Sequence, residues 1–203
     1  WSLEAGGSIE RSMRGNPESL TDDTYAISAA GVASELAIGT DGKYHTTDES
    51  FWRIEYTAGT DSWTAWDRLG TKYVFGDTTG TRAWYPYDIG NTCDEPTNED
   101  PIQTEQVHYG TWRWSLHTVT NIYGQTLTYS YYEDSQGMKL PCSAPNQPGI
   151  PTDVAVYPSE ITYPQGDYKV RFEREARTDY KSQWTLASSV RFFERFRLQQ
   201  VQV

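Results

Sequence analysis

The sequence predicts an all-β protein with little helix, built of antiparallel hairpins in a twisted, curved sheet. Aromatic residues make up 14% of its 203 residues, and the chain contains 16 Gly and 10 Pro. Apolar and polar residues also alternate with a period of two through several segments. Aromatic side chains suit pleated strands, and Gly and Pro suit turns. We expect the sheet to be sandwich-like or to form part of a β-shell.

The core is expected to consist of large amphipathic rings. The mean hydropathy is only −0.72, although the chain has 15 Tyr and 8 Trp. These side chains bury much apolar area while keeping one polar atom available for water. Disordered chains are poor in aromatic residues, so the sequence indicates a folded domain despite its polarity.

The net charge of −11 excludes nucleic acid as an expected partner, because an acidic surface repels phosphate groups. No apolar run reaches about 18 residues, so no membrane span is predicted. The chain begins at Trp1 rather than Met, which is expected of a processed product or an excised fragment.

Two hairpins are well marked. The first joins residues 63–67 to 71–75 through a turn that contains Gly70. The second joins 112–117 to 127–131, and both of its arms carry an aromatic face. Regular alternation of these rings with polar residues predicts that they line a buried sheet face.

Three weaker signals complete the prediction of elements. A third strand pair is expected around Ile161 and Phe172, and residues 196–203 alternate like a further strand. Residues 28–36 are predicted as a weak helix, which Gly31 interrupts. His117 lies opposite the aromatic face of its strand and is expected to point into solvent.

The chain is predicted to form a single β-rich domain, residues 1–203. Two segments rich in turn-forming residues, 77–106 and 135–152, are predicted as long loops or insertions. Each contains one cysteine, so Cys93 and Cys142 form either a disulfide in an oxidising compartment or two free thiols.

The sequence contains no pattern that predicts a catalytic centre or a cofactor. Two cysteines are too few to complete a structural zinc site, and no nucleophile elbow or phosphate-binding loop is present. Glu173 and Glu175 have glycosidase-like chemistry, but neighbouring arginines favour ion pairing on a strand. The acidic segment 94–100 has calcium-binding oxygens without the spacing of an EF-hand. We therefore expect a protein that is not an enzyme.

Several further motifs follow one another in a fixed order. Residues 44–56 precede the first hairpin, which reads Asp-Arg-Leu-Gly-Thr-Lys-Tyr-Val-Phe-Gly over 67–76. Residues 157–163 then read Tyr-Pro-Ser-Glu-Ile-Thr-Tyr. Single positions of the same pattern are Trp114, Leu116, Val119, Asn121, Gly124, Gln125, Leu127, Tyr129, Tyr131, Val170, Phe172, Arg177 and Asp179.

Together these motifs resemble the region that precedes the repeats in rearrangement-hotspot (RHS, or YD-repeat) shell proteins, which include the B component of insecticidal toxin complexes. Asn121 and Gln125 stand where that family has Asp and Asn, and the repeat signature Tyr-x-Tyr-Asp-x-x-Gly-Arg does not occur. The likeness therefore covers the region before the repeats, over most of residues 25–203.

The resemblance implies a bacterial protein, secreted or at the cell surface. It implies a non-enzymatic structural segment whose strands join a shell that encloses a cargo or toxin polypeptide. Its expected partners are the downstream repeats of its own polypeptide and the encapsulated toxin. The alternative is a carbohydrate-binding β-sandwich, since Trp and Tyr also stack on sugar rings. A glycosidase that uses Glu173 is a third hypothesis.

Overall fold

The computed structural model describes residues 6–12, 23–87, 108–138, 150–166, 168–180 and 194–203, and it confirms the all-β prediction. No α-helix occurs in these ranges, and a single 3₁₀ turn covers Thr79–Thr81. The thirteen strands are β1 (Gly7–Ser12), β2 (Thr24–Ala29), β3 (Val32–Ile38), β4 (Tyr44–Thr46), β5 (Arg53–Thr57), β6 (Ser62–Trp66), β7 (Lys72–Phe75), β8 (Arg82–Tyr87), β9 (His108–Thr120), β10 (Thr126–Met138), β11 (Ile150–Thr162), β12 (Lys169–Ala176) and β13 (Phe196–Gln202).

Eight of these strands form a closed antiparallel barrel. Strands β1 to β7 pair in chain order, and β9 then pairs with both β7 and β1. Opposite Trp114 on β9 lies Ile9 of β1, and opposite Val119 lies Tyr73 of β7. The closing contact thus joins segments about a hundred residues apart, and closure leaves the ring without a free edge.

The barrel interior is filled mainly by rings, as the composition predicted. Trp63 and Trp114 are fully buried, with their ring centroids 5.8 Å apart in an edge-to-face arrangement. Tyr25 packs against both indoles, at 5.0 and 5.9 Å between centroids. The other members of this core include Ile9, Ile27, Leu36, Trp52, Ile54, Tyr73, Phe75 and Leu116.

Strand β9 is shared between the barrel and a second part of the sheet. Along one edge of β9, residues 113–115 pair with β1, while residues 118–120 pair with β10. Strands β10, β11, β12 and β13 then continue in order as an open sheet, hereafter called the extension. The opposite edge of β9 pairs with β7 and, after a register shift, with β8.

The prediction of a helix over residues 28–36 is wrong. This segment forms the β2–β3 hairpin, in which Ala29 pairs with Val32 across a two-residue turn. Both turn residues have positive φ, 48° at Ala30 and 81° at Gly31. Such a turn matches the right-handed twist of the two strands, and the pairing of β2 with β3 overrides the helical propensity of the alanines.

The structure also corrects the boundaries of the two predicted loops. Residues 82–87 of the first segment form β8, residues 135–138 belong to β10, and residues 150–152 belong to β11. The remaining parts, 88–106 and 139–149, lie outside the described residues. The single-domain assignment for residues 1–203 stays a prediction.

Replacing Gly76 with alanine is expected to lower the free energy of unfolding by about 3 kcal/mol. Gly76 has φ +68°, and an added Cβ would overlap Cδ1 of the buried Trp114. Chemical denaturation measures the loss. The matched control is Gly124→Ala, which has φ +80° but no atom within 4 Å of an added Cβ. Equal losses in the two variants would contradict the proposed contact with Trp114.

Candidate functional site

The extension ends in a strand edge that could pair with another strand, and this edge is the candidate site for interaction with another polypeptide segment. Strand β13 pairs with β12 from Ala176–Phe196 to Arg171–Gln202. Within the described residues, no strand pairs with the other edge of β13. Residues 198–203 read Leu-Gln-Gln-Val-Gln-Val, without a charge or a proline. Edge strands that avoid further pairing commonly carry charged residues or proline. Because residues 198–203 have neither, this edge is suited to receive another strand.

Three buried or half-buried aspartates join the barrel to the extension and to its last strand. Asp61, in the β5–β6 turn, is the first of them. Its Oδ1 accepts hydrogen bonds from the hydroxyl of Tyr56 at 2.8 Å and from Nε1 of Trp114 at 3.0 Å. Its Oδ2 accepts a hydrogen bond from Thr111. A turn residue of β5–β6 thereby fixes the central strand β9.

Asp153 is the second aspartate, and it lies between β8, β10 and the central strand. Its Oδ2 accepts the backbone N–H of Trp84 at 2.8 Å, and its Oδ1 accepts the hydroxyl of Ser135. Its backbone carbonyl accepts Nε1 of Trp112 at 3.0 Å. Ala83, Tyr85 and Trp112 form a small apolar cluster beside it. These contacts hold the extension in a fixed position against the β8–β9 pair.

Asp134 is the third aspartate, and it anchors the segment that enters β13. Its side chain is 1% exposed and receives the guanidinium of Arg195 on both oxygens, with Nε of Arg195 2.8 Å from Oδ2. The amide of Gln136 donates a further hydrogen bond to Oδ1 at 2.8 Å. The hydroxyl of Tyr157 accepts the backbone N–H groups of Arg195 and Phe196. The free edge strand is therefore rigidly held at its start.

A groove of about 650 Å³ runs across the extension where two strand pairs change register. The shifts lie between Ser130 and Tyr131 on β10 and between Glu173 and Arg174 on β12. The guanidinium of Arg174 lies 3.6 Å from the ring centroid of Tyr132 and 5.8 Å from that of Phe196. Arg174 therefore covers one face of the Tyr132 ring, and that face is not open for stacking on a sugar.

The raised pKa of Glu133, on β10, makes the stability of the joint between the barrel and the extension depend on pH. Burial and, to a smaller extent, the nearby carboxylate of Asp153 together raise the pKa of Glu133 to about 7, although Arg82 opposes the shift. Among the described residues, no group donates a hydrogen bond to its buried Oε1. The charged form is therefore disfavoured by folding. The contribution of Glu133 is most favourable below pH 4.5 and declines as the pH rises towards 7.

Glu133→Gln is expected to stabilise the protein by about 1–2 kcal/mol at pH 8, after allowance for solvent screening. The gain should disappear at pH 4, where the native carboxyl is also neutral. Thermal unfolding at the two pH values measures both effects. Glu173→Gln, at an exposed carboxylate on β12, serves as the control. A gain of equal size at pH 4 and pH 8 would contradict the proposed ionisation.

The two glutamates that were considered for a glycosidase, Glu173 and Glu175, have different surroundings on β12. Nε of Arg197 lies 2.6 Å from Oε1 of Glu175. This is an ion pair on the strand surface, as predicted, but its arginine comes from β13 and is none of the sequence neighbours Arg171, Arg174 and Arg177. Glu173 is exposed and lies at the register shift of β12. His117 is partly exposed on the face opposite the aromatic rings, as expected, and its Nδ1 lies 2.6 Å from Oδ1 of Asp77.

Cys93, Cys142 and the acidic segment 94–100 lie outside the described residues, so the disulfide and the calcium site stay predictions. Within the described ranges, no cluster of three His, Cys, Asp or Glu side chains is placed to hold a metal ion. No helix in those ranges is long and apolar enough to cross a membrane.

Sequence reasoning did not single out Asp61, Asp134 or Asp153. Asp61 follows Ala58-Gly59-Thr60, and this segment has the composition of an ordinary turn. Asp153 is flanked by Thr152 and Val154, and a lone acid in an alternating strand was the available signal for it. Trp112 and Trp84 lie 41 and 69 residues from Asp153 in the chain, and Arg195 lies 61 residues from Asp134. Local sequence patterns therefore did not reveal these partners.

Comparison with known proteins finds similarity in structure alone. No family model matches the chain, and no curated protein matches it. The N-terminal domain of effector protein SpvB from Salmonella typhimurium strain LT2 is similar, with TM-score 0.59 and 18% identity, over 97% of this chain and 74% of that one. The Photorhabdus luminescens Tc holotoxin pore is similar, with TM-score 0.54 and 18% identity, over 96% of this chain. TcdB2-TccC3 has TM-score 0.51 and 16% identity, over 85% of this chain.

These comparisons define the class of fold. The chain shares an all-β fold with parts of an effector protein and of toxin-complex proteins. It spans only 9% of the TcdB2-TccC3 chain and 11% of the holotoxin chain, although it spans most of the SpvB domain. At identities of 16–18%, the likeness shows the fold and leaves the function to be argued from the chain itself.

Proposed function

We propose that this chain is a non-enzymatic wall segment of an exported RHS-like protein. Its strands contribute to a shell that encloses a cargo or toxin polypeptide. The observation that carries the proposal is the free edge of β13, at the end of an open sheet that grows out of a closed barrel. The barrel provides a stable base, and the free edge provides a place where the sheet can continue.

The composition of the edge supports continuation of the sheet. An unprotected edge exposes unpaired N–H and C=O groups, which favour pairing with another strand. Over residues 198–203, alternating Leu198, Val201 and Val203 offer apolar side chains without a charge that would oppose pairing. The free edge therefore has the properties of an internal strand of a larger sheet.

The buried acids support a structural role. Asp61, Asp134 and Asp153 each bind to groups of the protein's own strands, and together they fix β9, β8 and the start of β13. Carboxylates used in this way stabilise one arrangement of the strands. Export and association with a toxin are supported by the neighbours in structure, which are an effector domain and toxin-complex components.

Amide hydrogen exchange tests the proposal. The 203-residue chain is compared with the full-length product of its gene. We expect the outward-facing amides of residues 198–202 to exchange at least about tenfold more slowly in the full-length protein, because another strand would protect them. The amides of β6, inside the barrel, serve as the internal control. Equal exchange of residues 198–202 in both proteins would contradict the proposal.

The carbohydrate-binding alternative stays a prediction, with less support than the shell. Trp52, Trp63, Trp112 and Trp114 are buried, at 8% exposure or less, so four of the rings that motivated it lie in the core. A glycan array tests the alternative, and specific binding that survives at physiological salt would favour it over the shell.

A further inference from the structure

Strands β11 and β12 pair over three residues and then diverge. The three pairs are Glu160–Arg171, Ile161–Val170 and Thr162–Lys169. Before Glu160, β11 lies beside β10, and after Arg171, β12 lies beside β13. The facing edges of these two stretches have no partner strand among the described residues. We call the space between them the fork.

The groove of about 650 Å³ lies in this fork, and it has the size of a ligand-binding cleft. Its lining consists of Ser159 and Glu160 on β11, residues 171–174 on β12, Ser130 and Tyr132 on β10, and Phe196. The ring centroid of Phe196 lies 5.7 Å from that of Tyr132 and 5.6 Å from that of Tyr157. Phe196 therefore borders the wide end of the fork.

Arg174 differs from the other arginines that stack on aromatic rings. In the part of the chain that the structure describes, those others are Arg11, Arg53, Arg82 and Arg195. Each has a carboxylate oxygen within 3.5 Å, supplied in the same order by Asp23, Glu55, Asp61 and Asp134. Arg174 has no such carboxylate among the described residues. Segments 139–149 and 181–193, which precede β11 and β13, contain no Asp or Glu.

The stacking of Arg174 leaves its donors in position for an anion. Its guanidinium lies 3.6 Å from the ring centroid of Tyr132, so the contact uses the flat face of the group. The N–H donors of a guanidinium lie in its plane and point away from the edges. A carboxylate can therefore bind at the edge while the stack on Tyr132 is kept, and it would meet a guanidinium that is already held in place.

The charges at the fork leave a surplus of one cation. The cations are Lys169, Arg171 and Arg174, and the carboxylates are Glu160 and Glu173. Glu160 binds both Lys169 and Arg171. Adjacent residues of a strand point to opposite faces, so Glu173 does not pair with Arg174. With all five groups charged, one added carboxylate would balance the fork, although the whole chain carries −11.

From these observations we propose that the fork binds an extended polypeptide segment that carries an acidic side chain. The carboxylate of that side chain binds the guanidinium of Arg174. The backbone of the segment pairs with the open edges of β11 and β12. This site is separate from the free edge of β13 and does not depend on the function proposed for that edge.

The open edges favour a polypeptide over a free anion. A strand edge presents both N–H donors and C=O acceptors. An extended peptide matches both, as it does wherever a peptide adds a strand to the edge of a sheet. A phosphate or sulfate ion offers oxygen acceptors, but it has no backbone N–H groups to pair with the carbonyl groups of the edges.

Amide NMR titration of the 203-residue chain tests the proposal. The probes are pools of blocked pentapeptides with random flanking residues and a central glutamate, glutamine or lysine. We expect the glutamate pool to shift the signals of residues 159–160 and 172–174, with an affinity at least about tenfold higher than that of the glutamine or lysine pool. Sodium phosphate should bind more weakly than the glutamate pool. Arg174→Gln should reduce the affinity for the glutamate pool at least about tenfold.

Arg53→Gln is the matched control, because Arg53 also stacks on a ring, that of Trp66 at 3.8 Å, but has Glu55 as its acid. It should bind the glutamate pool like the parent chain. Circular dichroism confirms that both variants are folded before titration. Absence of binding, equal binding of the glutamate and glutamine pools, or phosphate binding as tight as that of the glutamate pool would overturn the proposal. Signal changes confined to residues 198–202 would also overturn it, since the peptides would then bind the edge of β13.

Discussion

Replacing Trp114 with alanine is expected to destabilise the barrel by about 4 kcal/mol, enough to unfold a marginally stable domain. Trp114 is fully buried and contacts the rings of Tyr25, Tyr56 and Trp63. Its Nε1 also donates to Oδ1 and to the backbone carbonyl of Asp61. The substitution therefore creates a large cavity and removes the hydrogen bonds that fix the β5–β6 turn against β9.

Denaturant unfolding followed by tryptophan fluorescence and circular dichroism measures this loss. Trp66→Ala is the matched control, because Trp66 is half-buried at the barrel surface and stacks on Arg53 at 3.8 Å. We expect it to cost about 1 kcal/mol. Similar losses for the two variants would show that the barrel interior is not the main source of stability.

Replacing Arg195 with alanine is expected to cost about 3 kcal/mol. The change leaves the carboxylate of Asp134, which is 1% exposed, with the amide of Gln136 as its remaining donor among the described side chains. A buried carboxylate without its cation pays for desolvation without compensation. Because Arg195 directly precedes β13, we also expect faster amide exchange in residues 196–202.

Two further variants separate the ion pair from a general loss of charge. Arg197→Ala removes the exposed pair with Glu175, whose side chains are 64% and 38% exposed, and should cost less than about 1 kcal/mol. The double variant Asp134→Leu, Arg195→Met should recover most of the stability, since neither buried charge then remains. Failure of the double variant to recover would indicate that packing, rather than the unpaired carboxylate, causes the loss.

The sequence predicted local pairing well, because each hairpin is specified by its own residues. Alternating rings and a Gly-containing turn marked the β6–β7 and β9–β10 hairpins, and the structure confirms the first. The second is confirmed at its turn, where residues 118–120 pair with 126–128, but the predicted arm 112–117 does not pair with β10, because residues 113–115 pair with β1. The pairing of β1 with β9 was not predictable in this way. Alternation specifies which face of a strand is buried, but it does not specify a partner a hundred residues away.

The proline-rich segments illustrate a second limit. Pro86 and Pro151 lie in the two segments that were predicted as loops, yet they belong to β8 and β11. Strand β8 pairs with β9 alone, and Pro158 lies opposite Tyr131 at a register shift. Edge strands and bulges tolerate proline because its missing N–H has no partner to lose there. Such positions are recognised once the sheet order is known.

The candidate site was predicted in kind but not in detail. The alternation in residues 196–203 predicted a strand, and the structure confirms β13, whose outer edge has no partner strand among the described residues. The contacts that hold β13 in place were not predicted, since Asp134 and Arg195 are 61 residues apart. Arg174 also lay in a charge-rich stretch, where nothing in the sequence indicated that it would cover the Tyr132 ring.

A cryo-electron microscopy map of the full-length gene product is the most direct test of the proposed wall segment. The account predicts a strand hydrogen-bonded to the outer edge of β13, in a continuous sheet that curves around a cavity holding polypeptide. A map in which the outer edge of β13 faces solvent, with no enclosing sheet, would contradict the account.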